Sequence, residues 1–215
     1  MKHSSIIAHR GWWSNSEERN SFAALKRAFD AGFGVETDFR DLNGNVVVSH
    51  DPPEGDVLEA RALFDLYAKL GADGRLALNI KADGLQKSIL ALIKQSGTAP
   101  ENCYAFDMAV PDALGYLEQR FPVYTRLSEV ETVPSFLDSA AGVWVDNFTG
   151  AFPQVTEAER LLEAGHRVCI VSPELHRREH RALWDEIAAA GLHYNPLFEL
   201  CTDLPQDACD LLGTD

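Results

Sequence analysis

Glu36 and Asp38 lie two residues apart in a short apolar run that is typical of a β-strand. Side chains at positions i and i+2 of a strand point to the same face, and two adjacent carboxylates repel each other unless a cation lies between them. Oxygen ligands of this kind suit a hard divalent cation. The spacing therefore predicts a site for Mg²⁺ or Ca²⁺ at this pair.

Two histidines border the carboxylate pair in the sequence pattern. His9, with Arg10, follows the first apolar run, and His50 follows the run after the pair. Imidazoles on either side of a metal can act as general base and general acid for attack on a phosphorus centre. The other five histidines are interpreted as hydrogen-bonded structural residues or surface residues: His3, His166, His176, His180 and His193.

Further polar residues lie at the end of an apolar run, as Asn79 and Lys81 do. The active sites of (β/α)8 barrels are built at the C-terminal ends of the strands. We therefore expect these side chains to gather with the carboxylate pair at one end of a parallel sheet. Three more carboxylates hold the same kind of position and could face the site: Asp107, Asp146 and Glu174.

Short apolar runs alternate with amphipathic helical patterns along the whole chain, which is typical of a parallel sheet built from βα units. There are nine strand candidates, one more than an eight-stranded barrel needs. A compact α/β fold, a (β/α)8 TIM barrel in one domain over residues 1–215, fits best; an open doubly wound sheet is the alternative, because periodicity does not report closure. The strand candidates are Ser5 to Ala8, Val35 to Phe39, Val46 to Val48, Leu76 to Ile80, Cys103 to Phe106, Val123 to Thr125, Gly142 to Val145, Val168 to Val171 and Phe198 to Cys201. The clearest helices are Asn20 to Ala31, Leu58 to Leu70, Leu85 to Gln95, Pro111 to Arg120, Thr156 to Ala164, Arg177 to Ala190 and Pro205 to Leu212.

A hairpin after the second strand accounts for the extra strand, because Asn43-Gly44 lies between two apolar runs. A two-residue loop would place His50 on the face opposite to the carboxylates. A three-residue loop, with a bulge at Gly44, would place His50 opposite Glu36. We therefore predict the three-residue loop, a positive φ at Gly44, and His50 beside Glu36.

The chain has 215 residues, with 33 acidic and 19 basic side chains, a formal net charge of −14 and a pI near 4.8. This balance argues against a partner that is a nucleic acid. The apolar run before His9 is too short for a signal peptide, and no run approaches the about 20 apolar residues of a membrane span. The four cysteines show no C-x-x-C spacing, so we expect reduced thiols in a cytoplasmic protein.

Several short motifs follow one another in a fixed order. The first part of the chain carries Ile6 to Gly11, Asn20-Ser21, Gly34 to Asp38, Asn43-Gly44 and Val46 to Asp51. Together these resemble the signature of the glycerophosphodiester phosphodiesterase family. Two later segments resemble that family's Glu-Ile-Lys strand and its closing Thr-Asp-x-Pro: Leu78 to Lys81 and Cys201 to Pro205.

The resemblance implies a barrel with a hairpin after its second strand, and a metal-dependent phosphodiesterase of lipid metabolism. Its substrate would be a glycerophosphodiester or a related small phosphodiester whose alcohol has a neighbouring hydroxyl. The implied roles are acid/base catalysis by His9 and His50, phosphate contacts by Arg10 and Lys81, and divalent-metal ligation by Glu36, Asp38 and Asn79. Asn79 stands where the family usually has a third carboxylate.

Two other classes of function remain open. One is a binding or regulatory barrel that keeps the phosphate pocket but has lost turnover through the change at Asn79. The other is a metal-independent isomerase or lyase acting on phosphorylated sugars. The presence of both His9 and His50 favours the enzyme over the binding barrel, and the isomerase leaves the carboxylate pair without a role.

Overall fold

The chain alternates strands and helices, and the computed structural model describes residues 1–213. Positions 214–215 of the predicted domain lie outside the described residues. The strands are β1 (Ile6–His9), β2 (Gly34–Leu42), β3 (Asn45–Val48), β4 (Leu58–Glu59), β5 (Leu76–Ile80), β6 (Cys103–Phe106), β7 (Tyr124–Leu127), β8 (Gly142–Val145), β9 (Val168–Val171) and β10 (Phe198–Thr202). The α-helices are α1 (Phe22–Asp30), α2 (Ala60–Leu70), α3 (Gln86–Ser96), α4 (Val110–Glu118), α5 (Gln154–Glu163), α6 (Arg181–Ala189) and α7 (Pro205–Leu212).

Eight parallel strands form a ring in the order β1, β2, β5, β6, β7, β8, β9 and β10, and β10 pairs again with β1. Between β6 and β7 the residues described show one bridge, Ala105 opposite Val123, where the Ala105 amide donates to the carbonyl of Pro122 at 2.9 Å. The predicted (β/α)8 barrel is confirmed, and the open-sheet alternative does not apply.

The hairpin lies outside the ring, since β3 pairs antiparallel with the extended end of β2. The hairpin accounts for the ninth strand, as predicted. A tenth strand, β4, follows and adds two residues to the far edge of β3. Sequence periodicity could not detect β4 because a two-residue strand has no pattern.

The predicted three-residue loop is wrong. Leu42 lies opposite Asn45, so the loop has two residues, and both have positive φ, 51° at Asn43 and 83° at Gly44. Asn tolerates this conformation and Gly adopts it freely, which permits the type I′ turn that suits the twist of the two strands. The positive φ at Gly44 is confirmed, but the register does not place His50 opposite Glu36.

Alternate residues of each barrel strand face either the helices or the barrel interior. On β2, Val35 and Phe39 pack against the helices, so Glu36 and Asp38 point into the barrel. The rest of the interior is largely apolar and includes stacked aromatic pairs, with ring centroids 3.7 Å apart for Tyr104 with Tyr124 and 4.1 Å apart for Phe106 with Trp144. Two carboxylates therefore enter a mostly apolar core from a single strand.

No helix among residues 1–213 is long and apolar enough to span a membrane.

A side chain at Gly74 is expected to destabilise the base of the barrel. A Cβ there would lie 2.4 Å from the backbone nitrogen of Gly34 and 2.4 Å from the carbonyl of Phe33, which is main chain and cannot rotate away. We predict that Gly74→Ala lowers the free energy of unfolding by about 2 kcal/mol, the usual cost of overpacking. Urea denaturation of the purified variant measures this change.

Gly115→Ala is the matched control, because a Cβ there would meet only the flexible side chain of Gln86, at 3.1 Å. Since alanine stabilises a helix interior relative to glycine, by about 1 kcal/mol at most, this variant should lose no stability. Equal losses in the two variants would contradict the prediction.

Candidate active site

A cavity of about 360 Å³ opens at the C-terminal ends of the barrel strands. Asp38 lies beneath its wall and is fully buried. The other six residues predicted for the site line the cavity: His9, Arg10, Glu36, His50, Asn79 and Lys81. All seven residues predicted for the site therefore lie in or directly under one cavity.

Glu36 is almost completely buried, with 1% of its surface exposed. Its Oε2 accepts a hydrogen bond from the backbone nitrogen of Arg10 at 3.2 Å, and its Oε1 accepts one from Asn79 Nδ2 at 3.0 Å. Burial raises the pKa of this carboxyl above its ordinary value, and repulsion from Asp38 raises it further. A positive charge beside the pair would favour its ionised form.

Asp38 is held by cationic and amide groups from three different segments. Its Oδ2 lies 3.0 Å from Arg10 Nε and accepts a hydrogen bond from Asn20 Nδ2 at 2.9 Å. Its Oδ1 lies 3.7 Å from Lys81 Nζ. Burial lowers the pKa of the Lys81 amine from its ordinary value, although Asp38 opposes that shift. Arg10 and Lys81 therefore flank the carboxylate pair, each partly exposed to the cavity.

His9 is oriented by the carboxylate of Asp203, a residue for which no role was predicted. Its Nδ1 lies 2.7 Å from Asp203 Oδ1, and its Nε2 lies 3.8 Å from Glu36 Oε2. A carboxylate only accepts hydrogen bonds, so the proton lies on Nδ1 and Nε2 is directed toward the carboxylate pair. Asp203 belongs to the closing Thr-Asp-x-Pro motif, which was the sequence signal for this contact.

His50 reaches the cavity by a different route from the one predicted. Pairing between β2 and β3 continues only to Ser49, whose amide donates to the Asp38 carbonyl at 3.0 Å. The next residue is free of the ladder, and Arg40 Nε donates to the His50 carbonyl at 2.9 Å. The His50 side chain is 44% exposed and its Nδ1 lies 3.0 Å from Asp51. His50 therefore lines the rim of the cavity through its loop and not through strand register.

The side of the cavity formed after β6 to β9 carries a second group of polar residues, which we call the far half: Asp107, Arg126, Asp146, Phe148 and His176. Of the three extra carboxylates considered in the sequence, Asp107 and Asp146 line the cavity. Glu174 instead accepts a hydrogen bond from the backbone nitrogen of Asp203 at 3.1 Å and so supports the partner of His9.

His176 is hydrogen-bonded to a carboxylate, in keeping with its interpretation, and it also lines the cavity, which was not predicted. The predicted helix from Arg177 to Ala190 begins only at Arg181, because Arg177 adopts a left-handed φ of 59°. His176 ends a short 3-10 helix, Pro173–His176, that turns its side chain into the cavity. No local pattern of residues predicts this break in the helix.

Ion pairs connect the two sides of the cavity. Lys81 Nζ lies 3.7 Å from Asp38 and 3.6 Å from Asp107. Arg126 pairs with Asp107 and lies 3.7 Å from Asp146 Oδ2. Carboxylates and cations alternate along this path. The four carboxylates around the cavity outnumber the three lysine and arginine side chains that pair with them.

The residues present fit an oxygen-binding divalent cation. Two oxygen atoms, Asp38 Oδ1 and Asn79 Oδ1, are buried and have no hydrogen-bond partner, and Glu36 supplies a third oxygen donor beside them. Among residues 1–213 no three His, Cys, Asp or Glu side chains are grouped as a metal site. The donor set at this position consists of two carboxylates and one amide.

No protein-family model and no curated protein matches the chain. Among solved structures it is similar to a glycerophosphodiester phosphodiesterase from Parabacteroides distasonis, with a TM-score of 0.74, 16% identity, and coverage of 97% of this chain and 96% of that one. It is also similar to a glycerophosphodiester phosphodiesterase from Agrobacterium tumefaciens, with a TM-score of 0.68, 18% identity, and coverage of 98% and 99%. The chain therefore shares the fold of these phosphodiesterases over 97–98% of its length.

Removal of the Arg10 side chain is expected to destabilise the protein, because it leaves the buried Asp38 short of its closest cation. We predict that Arg10→Ala costs about 3 kcal/mol of unfolding free energy, the scale for breaking a buried ion pair. Denaturant unfolding in EDTA measures the loss without compensation by a divalent cation.

Arg181→Ala provides the comparison. Arg181 and Asp185 form an exposed pair at 3.0 Å on α6, and pairs of this type contribute about 0.5 kcal/mol or less. If both variants lost the same stability, Arg10 would have no special role in compensating Asp38.

Proposed function

We propose that the protein is a metal-dependent phosphodiesterase acting on a glycerophosphodiester or a related small phosphodiester. The observation that carries this proposal is the buried pair Glu36 and Asp38, flanked by His9, Arg10 and Lys81 at the mouth of a barrel with the glycerophosphodiester phosphodiesterase fold. Oxygen donors, cations and an oriented imidazole together suit phosphoryl transfer.

Arg10 and Lys81 would face the phosphate. Displacement at phosphorus places negative charge on the equatorial oxygens, and fixed cations near those oxygens stabilise it. Both side chains already contact Asp38, so they are held in position before an anionic ester binds. We call the side of the cavity formed by His9, Arg10, Glu36 and Lys81 the near side. Its positioned cations favour a small phosphodiester as the ligand there.

Glu36, Asp38 and Asn79 would hold the divalent metal, Mg²⁺ or Ca²⁺. When bound, such a cation polarises a phosphoryl oxygen and neutralises charge that develops there. The resemblance assigns acid/base catalysis to His9 and His50. The hydrogen bond with Asp203 leaves His9 Nε2 available to exchange a proton near the carboxylate pair, and the exposure of His50 allows proton exchange with solvent.

A phosphate-binding barrel without turnover is the second candidate. It is favoured by the amide of Asn79 at the place of a carboxylate, and by the contacts of Asp38 with Arg10 and Asn20, which compete with a metal for that oxygen. For either candidate we expect a cytoplasmic protein, since thiols such as the buried Cys169 and Cys201 persist in reducing compartments.

Loss of either imidazole is expected to slow hydrolysis. We predict that His9→Ala and His50→Ala each lower the turnover of bis(p-nitrophenyl) phosphate with Mg²⁺, Mn²⁺ or Ca²⁺ by about 10²-fold or more, the usual scale for a proton-transfer group. EDTA should abolish wild-type turnover. His166→Ala, outside the cavity, is the control and should keep full activity.

Wild-type rates in both variants would remove the acid/base assignment. Absence of hydrolysis by the wild type with every cation, together with saturable binding of inorganic phosphate, would instead support the binding barrel.

Divalent-cation affinity is expected to depend on the charge of the donor set. In calorimetric titrations with Mn²⁺, Glu36→Gln and Asp38→Asn should each weaken binding, and Asn79→Glu should strengthen it, because an added carboxylate attracts the cation in a partly desolvated site. An Asn79→Glu variant with weaker affinity would mean that Asn79 shapes the pocket or contacts substrate and does not bind the metal.

A further inference from the structure

The two sides of the cavity lie across the barrel from each other. In the ring of eight strands, β8 is four strands away from β2, and β9 is four strands away from β5. Glu36 and Asp38 on β2 therefore face Asp146, which follows β8. A phosphate bound beside the carboxylate pair would direct one of its ester oxygens toward the far half.

The far half contains an imidazole held by a buried carboxylate. His176 Nε2 lies 2.7 Å from Asp146 Oδ1, and Asp146 is only 4% exposed. The backbone nitrogen of Asn147 donates to the same oxygen at 2.8 Å, and Arg126 lies 3.7 Å from Oδ2. Because the carboxylate is fixed in this way, Nε2–H of His176 donates to Asp146, and Nδ1 has no hydrogen-bond partner among residues 1–213.

The His176 ring also packs against the rim of the cavity. Its centroid lies 5.2 Å from that of Phe148, with the ring planes inclined by 62°. The side chain is 25% exposed, so it is accessible from the cavity while its position is restricted on two sides. The arrangement repeats that of His9 with Asp203, on the other side of the mouth.

We propose that His176 is a further catalytic residue, which donates a proton to the leaving alcohol oxygen, and that Asp146 is its positioning residue. This inference rests on the proposed phosphodiesterase function and divides the proton transfers between the two sides of the cavity. His9 accepts the proton of the nucleophile on the near side, the exposed His50 passes protons between that side and solvent, and His176 serves the departing alcohol on the far side.

The step balances as an in-line displacement. An oxygen nucleophile, either a neighbouring hydroxyl of the substrate or water, forms a bond to phosphorus and gives its proton to His9 Nε2. The bond from phosphorus to the leaving oxygen breaks, and its electron pair remains on that oxygen. The oxygen takes the proton from Nδ1 of the His176 imidazolium, which the Asp146 carboxylate stabilises. Solvent then removes the proton from His9 and returns one to His176.

Other groups at the far half suit this role less well. The guanidinium of Arg126 can stabilise negative charge but does not act as a proton donor to a leaving oxygen. Asp107 is paired with Arg126 and with Lys81 at 3.6 Å. His50 lies at the exposed rim on the near side, where its ring contacts Asp51 of the same loop and its backbone carbonyl accepts a hydrogen bond from Arg40.

The test compares two esters that share glycerol phosphate and differ in the leaving alcohol, p-nitrophenol or methanol. The p-nitrophenolate anion is stable without a proton, whereas methoxide is not. We expect His176→Ala to lower kcat for the methyl ester by about 10²-fold or more, the scale of general acid catalysis, and kcat for the p-nitrophenyl ester by less than about tenfold. Asp146→Asn should show the same split with a smaller loss on the methyl ester.

His176→Gln, which keeps a polar side chain of similar reach, should behave as His176→Ala does. His166→Ala is the control, and thermal unfolding of each variant establishes that it folds. Equal losses on the two esters, no loss on either, or a split confined to His50→Ala would overturn the role of His176 while the phosphodiesterase function stands. A wild type that cleaves only the p-nitrophenyl ester would overturn it as well. Inactivity of the wild type on both esters would overturn the proposed function together with this inference.

Discussion

The burial of two carboxylates on one strand is the constraint on which the site depends. Glu36 and Asp38 are 1% and 0% exposed, and an ionised carboxylate without partners in such a place costs several kcal/mol. Their partners come from separate segments: Arg10 follows β1, Asn20 precedes α1, and Asn79 and Lys81 come from the end of β5. Only a folded barrel brings these segments together, so the same contacts that compensate the carboxylates assemble the cavity.

The main chain around these contacts adopts conformations that are uncommon for residues other than glycine. Arg10, Asn20 and Asp107 have φ values of 58°, 60° and 70°, and such positions cost about 1 kcal/mol or more each. At Arg10 the strained turn lets the backbone nitrogen donate to the Glu36 carbonyl at 2.8 Å while the guanidinium reaches Asp38. At Arg10, backbone strain is therefore retained where it directs a cation onto a buried anion.

Much of the fold follows from local patterns, and the exceptions have physical reasons. Apolar runs and amphipathic stretches predict the eight barrel strands and the seven helices, because burial on one or two faces leaves a periodic trace in the sequence. Asn43-Gly44 itself favours the two-residue type I′ turn that is formed. The three-residue loop was predicted instead because strand pairing was assumed to bring His50 beside Glu36, whereas the loop after β3 brings it to the rim of the cavity.

In the candidate site, too, local sequence patterns predict some of the residues and miss others. Residues within ordered motifs, such as Glu36 and Asn79, were found because spacing along a strand fixes their direction. The pairs His9 with Asp203 and His176 with Asp146 join residues 194 and 30 positions apart, and no local pattern links the two members of such a pair. For His176 the turn at Arg177 also had to be known, since a continuous helix would have carried the side chain elsewhere.

Among residues 1–213 the ring of strands has one junction with few backbone pairs, where side chains complete the wall. Each other neighbouring pair in the barrel shares three or more paired residues, whereas β6 and β7 share one. At the mouth this junction is spanned by Asp107 and Arg126, which also line a side cavity of about 280 Å³. This ion pair lines both cavities, so a contact between two side chains forms part of the partition at the place where the wall has the fewest backbone hydrogen bonds.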